Sequence, residues 1–411
     1  VRAPRGAKAE WTVLVYLAGD NNLDQSGVGD LLEMKKVGST PRVTVAAEFD
    51  RGSGRGAKRY LLRKGGTLTA DAVLSLGKLN TGDPKNLLDF VRWGVKTCPA
   101  RRYALVLWNH GQGWDDTDIY ADERHRALRP LARGRVQRAL FRPPVRRMLR
   151  GALRKYEPRA ILLDDDAKDF LDNVELKRVL AAAAEAIGGK LDVLGMDACL
   201  MSMAEVGYQV RESAAFTVGS EQTEPGDGWP YDRILRALAK QPEMEAKDLS
   251  TAIVREYLAS YVTADGVTQS ACDLAKADAL ASAVATLAGA LTAALGDEAH
   301  RGRILAARSR AQAYEIPDNV DLADFCGLLA AAAPSGAVAG ACRGVVKAVG
   351  GGPGSYVLAS GSKGADLAHS HGVAIYFPTT AISPLYARLD WAPATGWGRF
   401  LEVWLRAVRE R

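Results

Sequence analysis

The sequence predicts an α/β protein built on a mostly parallel central sheet with helices on both faces. Three observations carry this expectation. Short apolar runs of buried-strand type alternate with helical patterns, the order that a parallel sheet requires. Two of these runs, Tyr103–Trp108 and Leu191–Met196, stop abruptly before reactive side chains: His110 and Gly111 follow the first, Asp197 and Cys199 the second. Beyond about residue 240 helix patterns dominate, so the expected division is a core over 1–240 and a helix-rich part over 241–411 that completes the sheet.

Taken in order, Trp11–Ala18 is a strand ending in the turn-rich Gly19-Asp-Asn-Asn-Leu-Asp24. Leu31, Leu32, Met34 and Val37 mark a helix, and Arg42–Phe49 the next strand. The Gly/Arg-rich stretch 51–59 reads as a loop, and Tyr60–Arg63 with Thr67–Thr69 as an edge hairpin. Pro84 opens a helix through Leu87, Leu88, Val91 and Trp93, and Pro99 stops it before the strand leading to His110. Leu176–Ile187 is a helix closed by Gly188 and Gly189, feeding the strand that leads to Cys199. A helix is expected over Met201–Val210 and a strand over Phe216–Ser220. Later helices are expected over 247–262, 276–295 and 321–333, with short strands at Thr268–Asp273 and Tyr356–Ala359 and a strong one at His371–Phe377, stopped by Pro378. No internal repeat of fixed period is present.

Residues 124–159 differ from the rest. Roughly a third are Arg or Lys, and no acid precedes Glu157. Val145, Met148, Leu149, Leu153 and Tyr156 recur at helical spacing among Arg146, Arg147, Arg150, Arg154 and Lys155, the pattern of a basic amphipathic helix. It stands between the His110 and Cys199 segments.

The chain has 411 residues, an apolar fraction of 47% and a formal net charge of +6. A sizeable core is available, and so modest a charge is no sign of nucleic-acid binding, so no nucleic-acid partner is expected. No run of about 18 apolar residues occurs, so no transmembrane segment is expected. The five cysteines include no CxxC pair, which argues against a zinc ribbon, and their odd number leaves at least one thiol free within one chain. The chain begins at Val1 without a charged-then-apolar leader. A removed leader would place it in a secreted or periplasmic setting, and otherwise a cytoplasmic one is expected.

In a parallel α/β sheet the strand carboxyl ends share one edge, where sites form. A histidine and a cysteine brought there by neighbouring strands make a thiol nucleophile and its base. A free thiol ionises near about 8.5, so an imidazole is needed to take its proton and later protonate the leaving amine. A helix starting just after Cys199 would favour the thiolate. Backbone N–H groups there, with that of Gly111, would hold an oxyanion. Asp197 is expected to share the face of Cys199. Asp227 lies in the turn Glu224-Pro-Gly-Asp-Gly-Trp-Pro-Tyr231, where a carboxylate can pair with a cationic substrate. Asp20, Asn21 and Asn22 end the first strand and are expected at the same edge. The run Asp164, Asp165, Asp166 and Asp169 could supply calcium ligands, although a solvated loop with a helix cap accounts for it better.

Trp11–Asp24, Trp108-Asn-His-Gly-Gln-Gly-Trp114, Met196-Asp-Ala-Cys-Leu-Met-Ser202 and Glu224-Pro-Gly-Asp-Gly-Trp229 together resemble the clostripain family of cysteine peptidases. The likeness continues through Asp318–Phe325 and Ser370–Pro378, in family order and over nearly the whole chain. It implies a caspase-like three-layer α/β/α sandwich and a His–Cys dyad that cuts after Arg or Lys. Carried over, His110 is the base, Cys199 the nucleophile, and Asp197 with Asp227 the cation-binding pair. Asp20 is a further candidate for substrate binding and Gly111 for catalysis, no cofactor is required for chemistry, and structural calcium is an option. Relatives often mature by a cut between the dyad segments, so a single-chain precursor and a two-chain processed form are both expected, with the enzyme otherwise a monomer. The length and basicity of 124–159 depart from the family pattern.

Two other readings remain open on sequence alone. One is a catalytically silent caspase-like module that binds partners or an anionic surface through its basic helix. The other is a ligase-type enzyme using the same acyl-enzyme, which differs only in the nucleophile that resolves the thioester.

Overall fold

The computed structural model describes residues 8–52, 54–115, 161–333 and 335–409. The basic stretch 124–159 lies outside them. Thirteen strands are present among the described residues: β1 Ala9–Gly19, β2 Val43–Arg51, β3 Ala57–Leu61, β4 Ala72–Gly77, β5 Ala100–Trp108, β6 Ile161–Asp164, β7 Asp169–Leu171, β8 Leu191–Asp197, β9 Ala214–Gly219, β10 Val267–Asp273, β11 Asn319–Asp321, β12 Val357–Lys363 and β13 Ala374–Tyr376. Nine of them form one sheet in the order β12-β10-β9-β8-β5-β1-β2-β3-β4.

The five inner strands β9, β8, β5, β1 and β2 run parallel, and the two at each flank are antiparallel. Period-two alternation sends Leu14, Tyr16, Leu105, Leu107, Leu194 and Met196 to one face. Val13, Val15, Leu17, Ala104, Val106 and Val193 go to the other. Helices Pro84–Thr97, Asn173–Ile187 and Ala277–Ala294 cover the first face, and helices Asp24–Val37, Tyr231–Lys240 and Ala246–Ser260 the second. The result is the three-layer α/β/α sandwich expected from the sequence, with a helix-rich C-terminal part. That part still adds β10 and β12 to the same sheet.

Local chemistry explains the borders. Asp172 and Glu175 form a reciprocal capping box at the start of 173–187, and Gly188 closes that helix in the left-handed region at φ 85°. Asp83 caps the helix that Pro84 opens. The helix around 274–294 is long and apolar enough to cross a membrane by length and composition. Here its Leu280, Val284, Leu287 and Leu291 recur every three or four residues and are buried in the core, as in an interior helix of a globular protein.

Several expectations shift. The second arm of the edge hairpin is β4 at 72–77, because Thr67 caps a single helical turn over Leu68–Asp71 first. The loop expected over 51–59 gives way to β3 from Ala57. The strand expected at His371–Phe377 shortens to β13 and pairs with β11 in a separate small sheet, where β11 leads straight into helix Leu322–Ala332. The helix expected from Met201 begins only at Ala204, because Met203 first bridges to Ala374.

Leu105 lies fully buried on β5, the middle strand. Leu105→Ala is expected to lower unfolding free energy in urea by about 2–5 kcal/mol, through lost burial and a residual cavity. Leu105→Met, which conserves volume, should cost less than about 1.5 kcal/mol. Equal losses would show that the site is not packed as described.

Candidate active site

The parallel ladder between β5 and β8 ends with Trp108 opposite Asp197, and the Asn109 N–H then donates to the Asp197 carbonyl at 3.3 Å. His110 and Cys199 each lie two residues past that last pair, so both stand at the carboxyl edge of the sheet. The two segments are in contact beyond the ladder. A Cβ built on Gly111 would come within 2.6 Å of the Cys199 carbonyl oxygen and 3.0 Å of the Ala198 Cβ, so only glycine fits there.

His110 is half-buried, and its Nε2 lies 2.6 Å from Asn22 Oδ1. An amide oxygen only accepts, so Nε2 carries the proton and Nδ1 keeps the lone pair that a base needs. Burial holds the imidazole below its ordinary value, against the opposing charge of Asp165, and favours the neutral ring. Buried Asn109 braces the segment: its Nδ2 donates to the carbonyls of Ala18 and Leu163, and its Oδ1 accepts from Leu163 at 3.1 Å. One side chain thus ties β5 to β1 and β6.

Cys199 is half-buried, and its Sγ accepts the Glu224 N–H at 3.2 Å. The chain then turns sharply at Leu200, a non-glycine residue in the left-handed region at φ 63°, a conformation costing about 1–2 kcal/mol. Leu200 and Ser202 donate to the carbonyls of Gln222 and Ser220, which anchor the turn to the loop after β9. The expectation that a helix N-terminus favours the thiolate does not hold in this geometry. The helix begins five residues on, and burial pushes the Cys199 thiol up, with the Glu224 N–H opposing and the Asp197 charge adding to the shift. Burial thus favours the neutral form of both the Cys199 thiol and the His110 imidazole.

Asp197 is buried under the loop 224–231. It accepts the Tyr231 hydroxyl at 2.8 Å and the Trp229 N–H at 3.4 Å, and its side chain hydrogen-bonds to Glu224. Two carboxyl groups can bond this way only by sharing a proton, and burial next to Asp197 accordingly holds Glu224 well above the carboxylate range. Asp197 itself is pushed up to about 6, chiefly by burial. Gly228, at φ 57°, lets the loop close over it: a Cβ there would lie 3.2 Å from Asp197 Oδ1. Asp30 accepts the Trp108 indole N–H at 2.7 Å and is raised to about 9 by burial and by the charges of Asp197, Glu33 and Asp227. Asp227 is exposed on the loop.

The site candidates therefore separate. His110, Gly111 and Cys199 lie at one edge, and Asp197 lies beneath it with Asp30 and Glu224 around it, while the Asp227 charge acts on Asp30. The strand turns after Asp197, so Cys199 packs against one core layer while Asp197 sits under Trp229 and Tyr231 in the other. Asp20 instead lies with Asp50 and Asp164. Of the acidic run, Asp164 joins that cluster, Asp166 pairs with Lys78 at 2.9 Å and Asp169 accepts from Asn80 at 2.6 Å. Asp30 went unnoticed because one acid beside Leu31 reads as the polar side of an amphipathic helix. All five cysteines are free thiols.

Gly111→Ala is expected to lower kcat/KM about a hundredfold while the fold persists, since displacing a reacting group by about 1 Å has that effect. Near-parent activity would show that the contact with Cys199 does not set the site's geometry.

The clostripain family model, Peptidase_C11, matches residues 15–128 and 150–404. Clostripain from Hathewaya histolytica is 25% identical over 249 residues, a match covering 54% of this chain and 41% of that protein. The chain thus spans less than half the length of that relative. Among solved structures, a secreted C11 cysteine protease from Bacteroides thetaiotaomicron, in complex with an irreversible peptide inhibitor, superposes with a TM-score of 0.65 at 20% identity, covering 95% of this chain and 99% of that one. An inactive zymogen C11 protease from Parabacteroides distasonis gives 0.65 at 19% identity with the same coverage. The fold is shared with these structures, and with the family model matched over most of its length the chain belongs to the clostripain family, peptidase family C11.

Proposed function

We propose that this chain is a cysteine endopeptidase that cleaves after Arg or Lys. The observation that carries the reading is the buried Asp197, set one turn of chain below a cysteine that meets a histidine–glycine segment in register. His110 takes the thiol proton as Cys199 Sγ attacks the substrate carbonyl carbon, and a C–S bond forms. The C–N bond then breaks, His110 protonates the leaving amine, and water, deprotonated by the same imidazole, hydrolyses the thioester. Backbone N–H groups beside Cys199 and at Gly111 stabilise the oxyanion. A guanidinium or ammonium group enters above Asp197 and takes over the role that shared protons play in the free protein.

Residues 124–159 are proposed to carry the activating cut. β5 and β8 lie on either side of this stretch in sequence and are neighbours in the sheet, so two chains made there remain joined by the central ladder. Separating them would expose apolar surface at roughly 25 cal/mol per Å². Before the cut, a basic tethered segment meets the acidic pocket at an effective concentration around the millimolar range, enough to inhibit with a weak sequence.

Cys199→Ala and His110→Ala should each reduce peptide cleavage at least about a thousandfold with the fold intact. In the parent, Arg- and Lys-ending substrates should exceed Asp- and Leu-ending ones by about a hundredfold or more, because an unmatched buried carboxylate penalises the wrong substrate. Asp227→Ala should narrow that gap. Since Asp197 is raised to about 6, it is protonated below that pH, so kcat/KM for Arg substrates should fall about tenfold per unit there. Equal turnover of Arg and Leu substrates, or near-parent activity in either dyad variant, would refute the reading.

On denaturing gels the active protein should become two fragments that co-elute in native gel filtration, while Cys199→Ala stays one chain. A fully active protein that remains one chain, and is unaffected by deletion of 124–159, would contradict the activation scheme.

A further inference from the structure

Asp318–Phe325 and Ser370–Pro378 take no part in the dyad or its pocket, yet they pair with each other beside the chain that holds Cys199. Asp321 ends β11, caps helix Leu322–Ala332 and is fully buried. Its Oδ1 accepts the Asp324 N–H at 2.7 Å and lies 3.0 Å from His371 Nδ1, and its Oδ2 accepts the His371 backbone N–H at 2.5 Å. The His371 imidazole is 46% exposed. Behind this pair Tyr314 donates its hydroxyl to Oε1 of buried Glu221 at 2.7 Å, with Asp321 Oδ2 3.4 Å from the same hydroxyl. Glu221 also hydrogen-bonds to Asp321 itself, which two carboxyl groups can do only by sharing a proton. With that proton and a protonated imidazole the group is neutral. If the imidazole loses its proton, an uncompensated negative charge is left buried, which is costly.

This group grips the nucleophile from two directions. Glu221 opens the segment 221–224, in which the Gln222 carbonyl accepts the Leu200 N–H at 3.2 Å and the Glu224 N–H donates to Cys199 Sγ at 3.2 Å. The Gln222 side-chain oxygen accepts the Glu315 N–H at 3.0 Å, next to Tyr314. On the other side, Gly372 follows His371, and its carbonyl accepts the Ser202 hydroxyl at 2.8 Å, while the Ser202 carbonyl accepts the Ala374 N–H at 3.0 Å.

We propose that His371, held by Asp321, is a positioning residue for the peptidase reaction: its imidazolium balances the buried Glu221–Asp321 pair and so fixes the segment 221–224 against Cys199. The inference rests on the roles of Cys199 and His110 given above. The titratable groups that face the imidazole are Asp321 and Asp324 at the start of helix 322–332, with Glu221 and Tyr314 behind them. The hydrogen bond to Asp321 holds the imidazole above its ordinary value, helped by the charges of Asp321 and Asp324 and opposed by partial burial. The folded value therefore exceeds the unfolded one of about 6.5, so the ion pair is complete below that pH and is lost as pH rises through the folded value. The positioning effect fades on the alkaline side.

The test has one arm that needs no activity. In the full chain with Cys199→Ala, histidine-labelled and amide NMR spectra are followed against pH, with His371 assigned by its loss in His371→Gln. The His371 ring should titrate above about 6.5, and the Leu200 amide, bonded to the Gln222 carbonyl, should move with the same midpoint and stop moving in His371→Gln. In the second arm, kcat/KM for an Arg-ending peptide is measured against pH in protein with Cys199 intact. The parent should fall across the His371 titration to a lower plateau. His371→Gln should sit near that plateau throughout, about tenfold or more below the parent's maximum. His371→Arg, which keeps the charge at every pH used, should hold its activity past the parent's alkaline limb, and His300→Gln should leave the profile unchanged. A parent that cleaves nothing would refute the peptidase reading, and the Leu200 amide would then still decide the coupling. The proposal is overturned by a His371 that titrates at or below its ordinary value, or by a Leu200 amide blind to that titration. It is equally overturned by an alkaline limb that survives in His371→Gln, or by a His371→Arg that folds and loses as much activity as His371→Gln.

Discussion

The ladder between β5 and β8 is the constraint on which the site depends. These strands are parallel neighbours, so their carboxyl ends open on one edge, and the pairing of Trp108 with Asp197 sets how far each chain runs before it turns. A shift of one residue would send the side chains of one strand to the opposite face. The register is defended by the two core layers, by the Asn109 clamp, and by the close fit of Gly111 against Cys199. The proposed chemistry needs no thiolate at rest. It needs a neutral imidazole and a thiol held where proton transfer and attack coincide, and burial supplies both states.

Buried negative charge is the second theme of this edge. Asp197 with Glu224 and Asp30 forms one group, and Asp20 with Asp50 and Asp164 another. Carboxyls whose folded pKa lies above the unfolded value of about 4 cost the fold stability as pH rises from that value towards about 6 for Asp197 and about 9 for Asp30. The fold tolerates this because the most strongly raised groups, Asp30 and Glu224, keep their protons in the free protein. A cation that displaces those protons gains the attraction of several carboxylates in a water-poor setting, where charges interact more strongly than in bulk water. Selectivity for a positive side chain in the proposed pocket rests on this physics.

Much of this was legible in the sequence, for reasons that differ by element. The β1, β5 and β8 runs are apolar on both faces, a pattern that is hard to mistake, and their abrupt ends located His110 and Cys199. Turn chemistry placed the helices after Pro84 and before Gly188. What periodicity cannot carry is tertiary competition. Met203 reads as helix, yet its bridge to Ala374 delays the helix to Ala204 and removes the dipole from the cysteine. Strand β3 and the edge strand β4 are short and partly polar, so their bounds were obscured by glycines. Asp30 and Asp50 gave no local signal, because their meaning arises only when α-helix 24–37 and β2 fold against residues far away in sequence.

A cation-selecting pocket is proposed to present substrate to Cys199, with His110 as its base. Covalent labelling tests it most directly. The protein is treated with peptidyl chloromethyl ketones ending in Arg or in Asp, and the adduct is located by mass spectrometry of the digested chain. The prediction is a stoichiometric adduct on Cys199 from the Arg reagent, slowed in His110→Ala, with none from the Asp reagent and none on Cys98, Cys272, Cys326 or Cys342. Labelling of another cysteine, or equal labelling by both reagents, would contradict it.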